Sequence, residues 1–150
     1  MPIVDHMVCF SLYSATRATT RAYTELLEPW GLTYTQYLVL VVLWAEGPQP
    51  VHEMGSLLQL DSGTLSPLLK RMQSKGLLER RRDSDDNRVV TIVPTEKAIE
   101  LRDELDHIPL AIAQATGLPD VSAARELIET LHSLTLAMRE INSNERQPTP

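Results

Sequence analysis

The sequence predicts a mainly helical fold with one small β-hairpin, an α+β arrangement, and three observations predict it. Apolar residues recur at steps of three and four through most of the chain. Two strand-like runs, 77–81 and 89–93, flank the polar segment 82–88. The composition is 43% hydrophobic but 5% aromatic over 150 residues, so leucine, valine and alanine must fill the core of one domain spanning 1–150.

A first long helix is expected from residue 5 to about 28, with Asp5 as its cap and Pro29 and Gly31 closing it. Cys9, Leu12, Thr16, Thr19, Tyr23 and Leu26 share one of its faces. Cys9 and Tyr23 are 14 residues apart, which separates them by about 21 Å at a rise of ~1.5 Å per residue. Within one chain they cannot touch.

Thr33 and Gln36 form a Thr-x-x-Gln capping box for the next helix, with Leu32 and Tyr37 placed as a hydrophobic staple and Tyr34 in the first turn. From Tyr37 to Trp44 the run is apolar on all sides, as expected of a central buried helix. The segment 46–50 breaks it. Residues 51–59 then predict a short helix with Val51, Met54 and Leu58 on one side.

The stretch 60–78 predicts a second short helix directly after it. Leu65, Leu68, Leu69 and Met72 gather into one apolar stripe, while Ser62, Thr64, Ser66, Lys70, Arg71 and Ser74 fall outside it. Asp61 or Ser62 suits the cap, Pro67 is tolerable near the first turn, and Gly76 suits a left-handed residue after the last turn. Two short helices so closely joined have helix-turn-helix spacing. The hairpin that follows would be its wing, with Arg88 able to enter a minor groove.

Taken separately, these elements read more readily as an amphipathic core helix and an ordinary surface hairpin. Their order argues for a nucleic-acid surface, and the charge agrees. Net charge is −6, yet residues 70–88 hold seven basic and four acidic side chains, +3 against −9 for the remainder. Positive charge gathers where phosphates would lie.

Beyond the wing, Thr95 is expected to cap a helix reaching about Ala115, bent at Pro109. A last helix is expected from about Ser122 to Ile141, with Leu127, Ile128, Leu131, Leu134, Met138 and Ile141 recurring at nearly 3.5 residues. That stripe suits packing on its own domain or along another helix. With the first helix it reads as a dimerisation platform, 5–30 and 95–141, around a winged helix-turn-helix region, 32–93. Residues 142–150 are expected to be a disordered tail.

One cysteine excludes an internal disulfide and a cysteine-based zinc site. Four scattered histidines lack ligand spacing, so neither a metal nor a cofactor is expected. With no long apolar run and no signal-like N-terminus, the expected location is cytoplasmic, away from the membrane.

The order of elements is similar to the MarR family of winged-helix regulators. Cys9-Phe10-x-Leu12-Tyr13, Tyr23, Thr33-Tyr34-x-Gln36-Tyr37-Leu38, Leu43-Trp44, the segment 60–72 and Asp86-x-Arg88 further resemble its OhrR branch of organic-hydroperoxide sensors. The match covers most of residues 5–95 and weakens beyond. The resemblance implies a homodimeric repressor, not an enzyme, whose paired recognition helices read a near-palindromic duplex operator.

By the same resemblance Cys9 is the peroxide-reactive residue, Tyr23 and Tyr34 hydrogen-bond it from the other subunit, and Tyr13 is a third tyrosine near the site. Ser62, Thr64, Ser66, Lys70 and Arg71 fall in the DNA-reading region, and Asp86 orients the wing arginine Arg88. The chemistry fits, because a thiolate attacks peroxide, a helix N-terminus and phenol donors stabilise that anion, and a sulfenic acid condenses with a thiol. With no second cysteine, that thiol must be a small cellular one. The alternative for Cys9 alone is an inert buried residue.

Two positions depart from the family pattern: Pro94 stands where leucine is usual and Ala98 where glycine is common. Pro94 leaves the second wing strand one donor short. Two rivals stay open, a MarR-like repressor released by a small aromatic ligand and, more distantly, a thiol peroxidase.

Overall fold

The computed structural model describes residues 3–82 and 89–144. A 3-10 turn, Ile3–His6, precedes α1 (Val8–Leu27), and a second, Glu28–Trp30, ends on Gly31 in the left-handed region at φ 61°. Then follow α2 (Tyr34–Glu46), β1 (Gln49–Pro50), α3 (Val51–Leu58), α4 (Ser62–Ser74), β2 (Leu78–Arg82) and β3 (Val90–Pro94). The chain closes with α5 (Glu96–Glu104), α6 (His107–Ala115) and α7 (Val121–Asn144). Two compact units result, one through Pro109 and one from Leu110.

In the first unit, local chemistry accounts for most boundaries. Thr33 accepts from the Gln36 amide N–H at 3.3 Å while the Gln36 side chain accepts from the Thr33 N–H at 3.2 Å, so the capping box closes from both sides. Leu32 and Tyr37, the staple positions, are both buried. Val39, Leu40 and Leu43 of α2 join Met54, Leu65, Leu69, Met72, Ile92 and Ile108 in the core. Val41 departs from the all-round burial expected of this helix: it is exposed and lines a surface hollow with Tyr37, Trp44 and Arg102.

The hairpin lies within a three-stranded antiparallel sheet of order β1-β3-β2, with Ile92 at its centre between Gln49 and Arg80. Strand β1 was not expected from sequence. Two residues long and half proline, it shows no alternation, and Pro50 is tolerated because it sits on a sheet edge and leads into α3. Pro94 closes β3 opposite Leu78, and pairing resumes one residue later where the Thr95 N–H reaches the Leu77 carbonyl at 3.2 Å. Ala98 is fully buried, and its carbonyl accepts the Trp44 indole N–H at 2.7 Å, which ties α5 to α2.

Two expected boundaries move. Asp5 does not cap the first helix; it lies in the 3-10 turn, and α1 starts after an extended Met7 that makes no side-chain cap bond. The helix after Thr95 breaks at Leu105 and Asp106 rather than bending at Pro109. A continuous helix would need a Pro109 N–H for the Leu105 carbonyl and would press the ring against it, so the break falls one turn upstream. Pro109 thereby occupies the first turn of α6, and Ile108 N–H takes the Leu105 carbonyl at 3.1 Å.

In the second unit, Asp120 accepts from the Ala123 N–H at 2.9 Å at the start of α7. That helix extends past the expected Ile141 to Asn144; the rest of the expected tail, 145–150, lies outside the described residues. Its apolar stripe is uncovered in the single chain: Ile128 is 51% exposed and Ile141 52%.

Candidate nucleic-acid interface and cysteine site

Helix α4 buries Leu65, Leu68, Leu69 and Met72 and leaves Ser62, Thr64, Ser66, Lys70 and Arg71 exposed. Asp61 sets where it begins: one carboxylate oxygen accepts from the Thr64 N–H at 2.9 Å and the other from the Thr64 hydroxyl at 3.0 Å. The Thr64 hydroxyl proton is thereby committed to the cap, leaving its oxygen as an acceptor. A Cβ on Gly63 would stand 3.0 Å from the Asp61 carboxylate, so a larger residue would crowd the cap.

These hydrogen bonds from Thr64 hold the Asp61 carboxyl below its ordinary value of 3.8. A lowered value means that the cap stabilises the fold above the ordinary carboxylate range and is lost as pH falls through the lowered value. Asp61→Ala is therefore expected to melt below the wild type at neutral pH, with the difference closing in strong acid. Thermal unfolding followed by circular dichroism across that range checks this; a difference independent of pH would rule out the charged cap as its source.

Strand β2 adds exposed Arg80, Arg81 and Arg82 beside α4. Arg80 donates to the Ser66 carbonyl at 3.3 Å, fastening this strand to the middle of the helix, and Arg81 pairs with Glu79 at 3.1 Å. Charge counting registered these arginines, but only the Arg80 hydrogen bond to Ser66 shows which one reaches α4. Asp86 and Arg88, expected at the wing tip, lie outside the described residues.

Cys9 is a free, exposed thiol at the second position of α1. Tyr13, one turn on, is engaged by Arg17, whose guanidinium donates to the phenol oxygen at 3.0 Å and lies 5.5 Å from the ring centre. At the other end of α1, Tyr23 stacks on Tyr34 with ring centres 4.2 Å apart and tilts against Tyr37 at 5.7 Å. Tyr37 meets Trp44 edge-on at 6.1 Å. The structure thus brings Tyr23 and Tyr34 together and leaves Cys9 and Tyr13 at the opposite end of the helix.

Tyr37 is a cluster member that sequence reasoning placed in the staple and in the family motif but not with the cysteine-supporting tyrosines; its three-residue spacing from Tyr34 was the available signal. Burial, then the neighbouring Tyr34 and Tyr37, push the Tyr23 phenol above its ordinary value of 10.0. Burial and Tyr34 do the same for Tyr37. Both phenols stay protonated at neutral pH and remain hydrogen-bond donors. Among the described residues no cluster of metal-ligating side chains occurs, and no helix is long and apolar enough to cross a membrane.

A short helix pair whose second member shows a polar, basic face, backed by an arginine-bearing hairpin, defines a winged helix-turn-helix DNA-binding protein. Residues 21–105 match the family described as transcriptional regulator SarA/Rot. The chain belongs to the MarR/SarA-type winged-helix transcriptional regulators and is not an enzyme, which sets the peroxidase reading aside.

It is 41% identical to the organic hydroperoxide resistance transcriptional regulator of Bacillus subtilis, over 86% of this chain and 92% of that one. It is 44% identical to the regulator TtmR of Methylorubrum extorquens, over 87% of this chain and 67% of that one. Among solved structures, AbfR of Staphylococcus epidermidis superposes at a TM-score of 0.75 with 30% identity, covering 89% of this chain and 91% of that one.

Proposed function

We propose that this chain is a homodimeric repressor that releases operator DNA when an organic hydroperoxide oxidises Cys9. One observation carries the reading: a lone exposed thiol at one end of α1 and a stacked pair of phenols at the other. At about 21 Å along one helix they cannot meet. Two copies packed antiparallel along this helix would set each cysteine against its partner's tyrosines. The uncovered stripe of α7 supplies further apolar surface for such a dimer, in keeping with the predicted platform of 5–30 and 95–141 around 32–93. The likeness to a regulator named for organic hydroperoxide resistance supports the choice of oxidant.

In this reading the Cys9 thiolate attacks the terminal peroxide oxygen, the O–O bond breaks, and the alkoxide leaves and takes a proton. An S–O bond has formed and the sulfur is a sulfenic acid. A small thiol then attacks that sulfur, and water departs as a mixed disulfide forms. The added bulk displaces Tyr23 and Tyr34 and lowers the population of the DNA-competent state. Ser62, Thr64, Ser66, Lys70 and Arg71, with Asp86 and Arg88 on the wing, contact the operator, and Tyr13 flanks the thiol.

The expected result is that cumene hydroperoxide plus cysteine adds the mass of one cysteinyl group per chain at Cys9 and, in the same sample, releases a labelled palindromic duplex. Mass spectrometry and fluorescence anisotropy together check it. Release without a mass change would favour a second reading, a repressor responding to a small aromatic ligand in the hollow beside Tyr37, Trp44 and Arg102.

A further inference from the structure

We infer that Lys75 is the positioning residue that couples the tyrosine cluster to the recognition helix; this rests on the proposed roles of Cys9, Tyr23 and Tyr34. Lys75 caps the C-terminus of α4. Its ammonium donates to the Gly31 carbonyl, at the corner between α1 and α2, and to the Gln36 side-chain oxygen at 3.4 Å. Gln36 is a buried polar residue in the first turn of α2, the turn that also carries Tyr34 and Tyr37. Its oxygen is shared, accepting from the Thr33 N–H as well. Any shift of Tyr34 that moves this turn moves the acceptor that Lys75 holds.

The other side of the junction is fastened too. The Lys75 carbonyl accepts from the Lys97 ammonium at 3.0 Å, and the Gly76 carbonyl from the Thr95 hydroxyl at 2.7 Å. The end of α4 is thus tied to α2 through one side chain and to the start of α5 through its backbone. Both acceptors of the Lys75 ammonium are neutral oxygens, so these are charge-assisted hydrogen bonds with no opposing charge to screen. Lys75 is exposed, but two of its three ammonium donors are turned onto the fold, which places it for coupling. Small shifts at the end of α4 suffice, because paired recognition helices must keep the spacing of successive major grooves.

The test compares wild type, Lys75→Met, Lys75→Gln and Lys75→Arg. Methionine keeps the apolar stem and removes the donors; glutamine, uncharged and one bond shorter, gives up the charge assistance and the reach should methionine fold poorly; arginine restores charged donors. Operator affinity is measured by anisotropy before and after cumene hydroperoxide plus cysteine, with mass spectrometry confirming equal modification of Cys9. Oxidation is expected to weaken wild-type binding by a factor on the order of 5–150, the usual range of allosteric coupling. Lys75→Met and Lys75→Gln should bind as wild type when reduced but lose most of that factor, and Lys75→Arg should regain it.

An unchanged oxidation factor in the methionine and glutamine variants would overturn the inference while leaving the peroxide reading intact. So would equal weakening of the reduced and treated forms with a shallower salt dependence, the signature of a phosphate contact. A wild type that is modified yet keeps its DNA would remove both.

Discussion

Cys9→Ser is expected to bind operator DNA as tightly as wild type when both are reduced, and to remain bound after cumene hydroperoxide and cysteine are added. The substitution is nearly isosteric, and Cys9 is exposed at the start of α1 in the single chain, so the core of the winged unit loses nothing. In the proposed dimer a serine hydroxyl can still accept hydrogen bonds from the partner's phenols. What it lacks is a thiolate, the species that attacks the peroxide. The effect is therefore the whole response: a coupling on the order of 5–150-fold in wild type falls to none. Release of both proteins, or of neither, would take Cys9 out of the mechanism.

The features legible in the sequence are those whose partners lie within about four residues. The Thr33 and Gln36 capping box, the Asp61 and Thr95 caps and the left-handed Gly76 depend on neighbours three or four positions away, and the structure shows each. The stripe of Leu65, Leu68, Leu69 and Met72 was legible for the same reason, since helical period alone assigns its face. Strand β1 was not, because its partner in β3 is about forty residues away and two residues carry no period. Nor was the role of Lys75, whose acceptors come from the corner after α1 and from α2.

The cysteine site divides along the same line. Cys9, Tyr23 and Tyr34 were named by motif, whereas the stacking of Tyr23 on Tyr34 and the hold of Arg17 on Tyr13 needed coordinates. Asp5 marks the limit of local rules. It has the chemistry of a cap, but a 3-10 turn ending where Met7 N–H meets the Val4 carbonyl at 3.0 Å delays the helix past it.

The two faces of α4 are expected to respond oppositely to truncation. Leu69 is 0% exposed, and Leu69→Ala removes buried methyl groups and leaves a cavity, a change that costs about 2–5 kcal/mol. Set against a total stability of about 5–15 kcal/mol, that is enough to unfold a sizeable share of the protein at moderate temperature. Urea denaturation should show a lower midpoint with an unchanged slope. Lys70 is exposed on the outer face, and Lys70→Ala should shift stability by no more than about 0.5 kcal/mol. Its cost should appear in DNA binding instead, as weaker affinity across all duplex sequences and a salt-dependence slope reduced by about 1. If Lys70→Ala left both affinity and salt slope untouched, the outer face of α4 at that position would not lie against phosphate, and the docking of this helix would have to be turned about its axis.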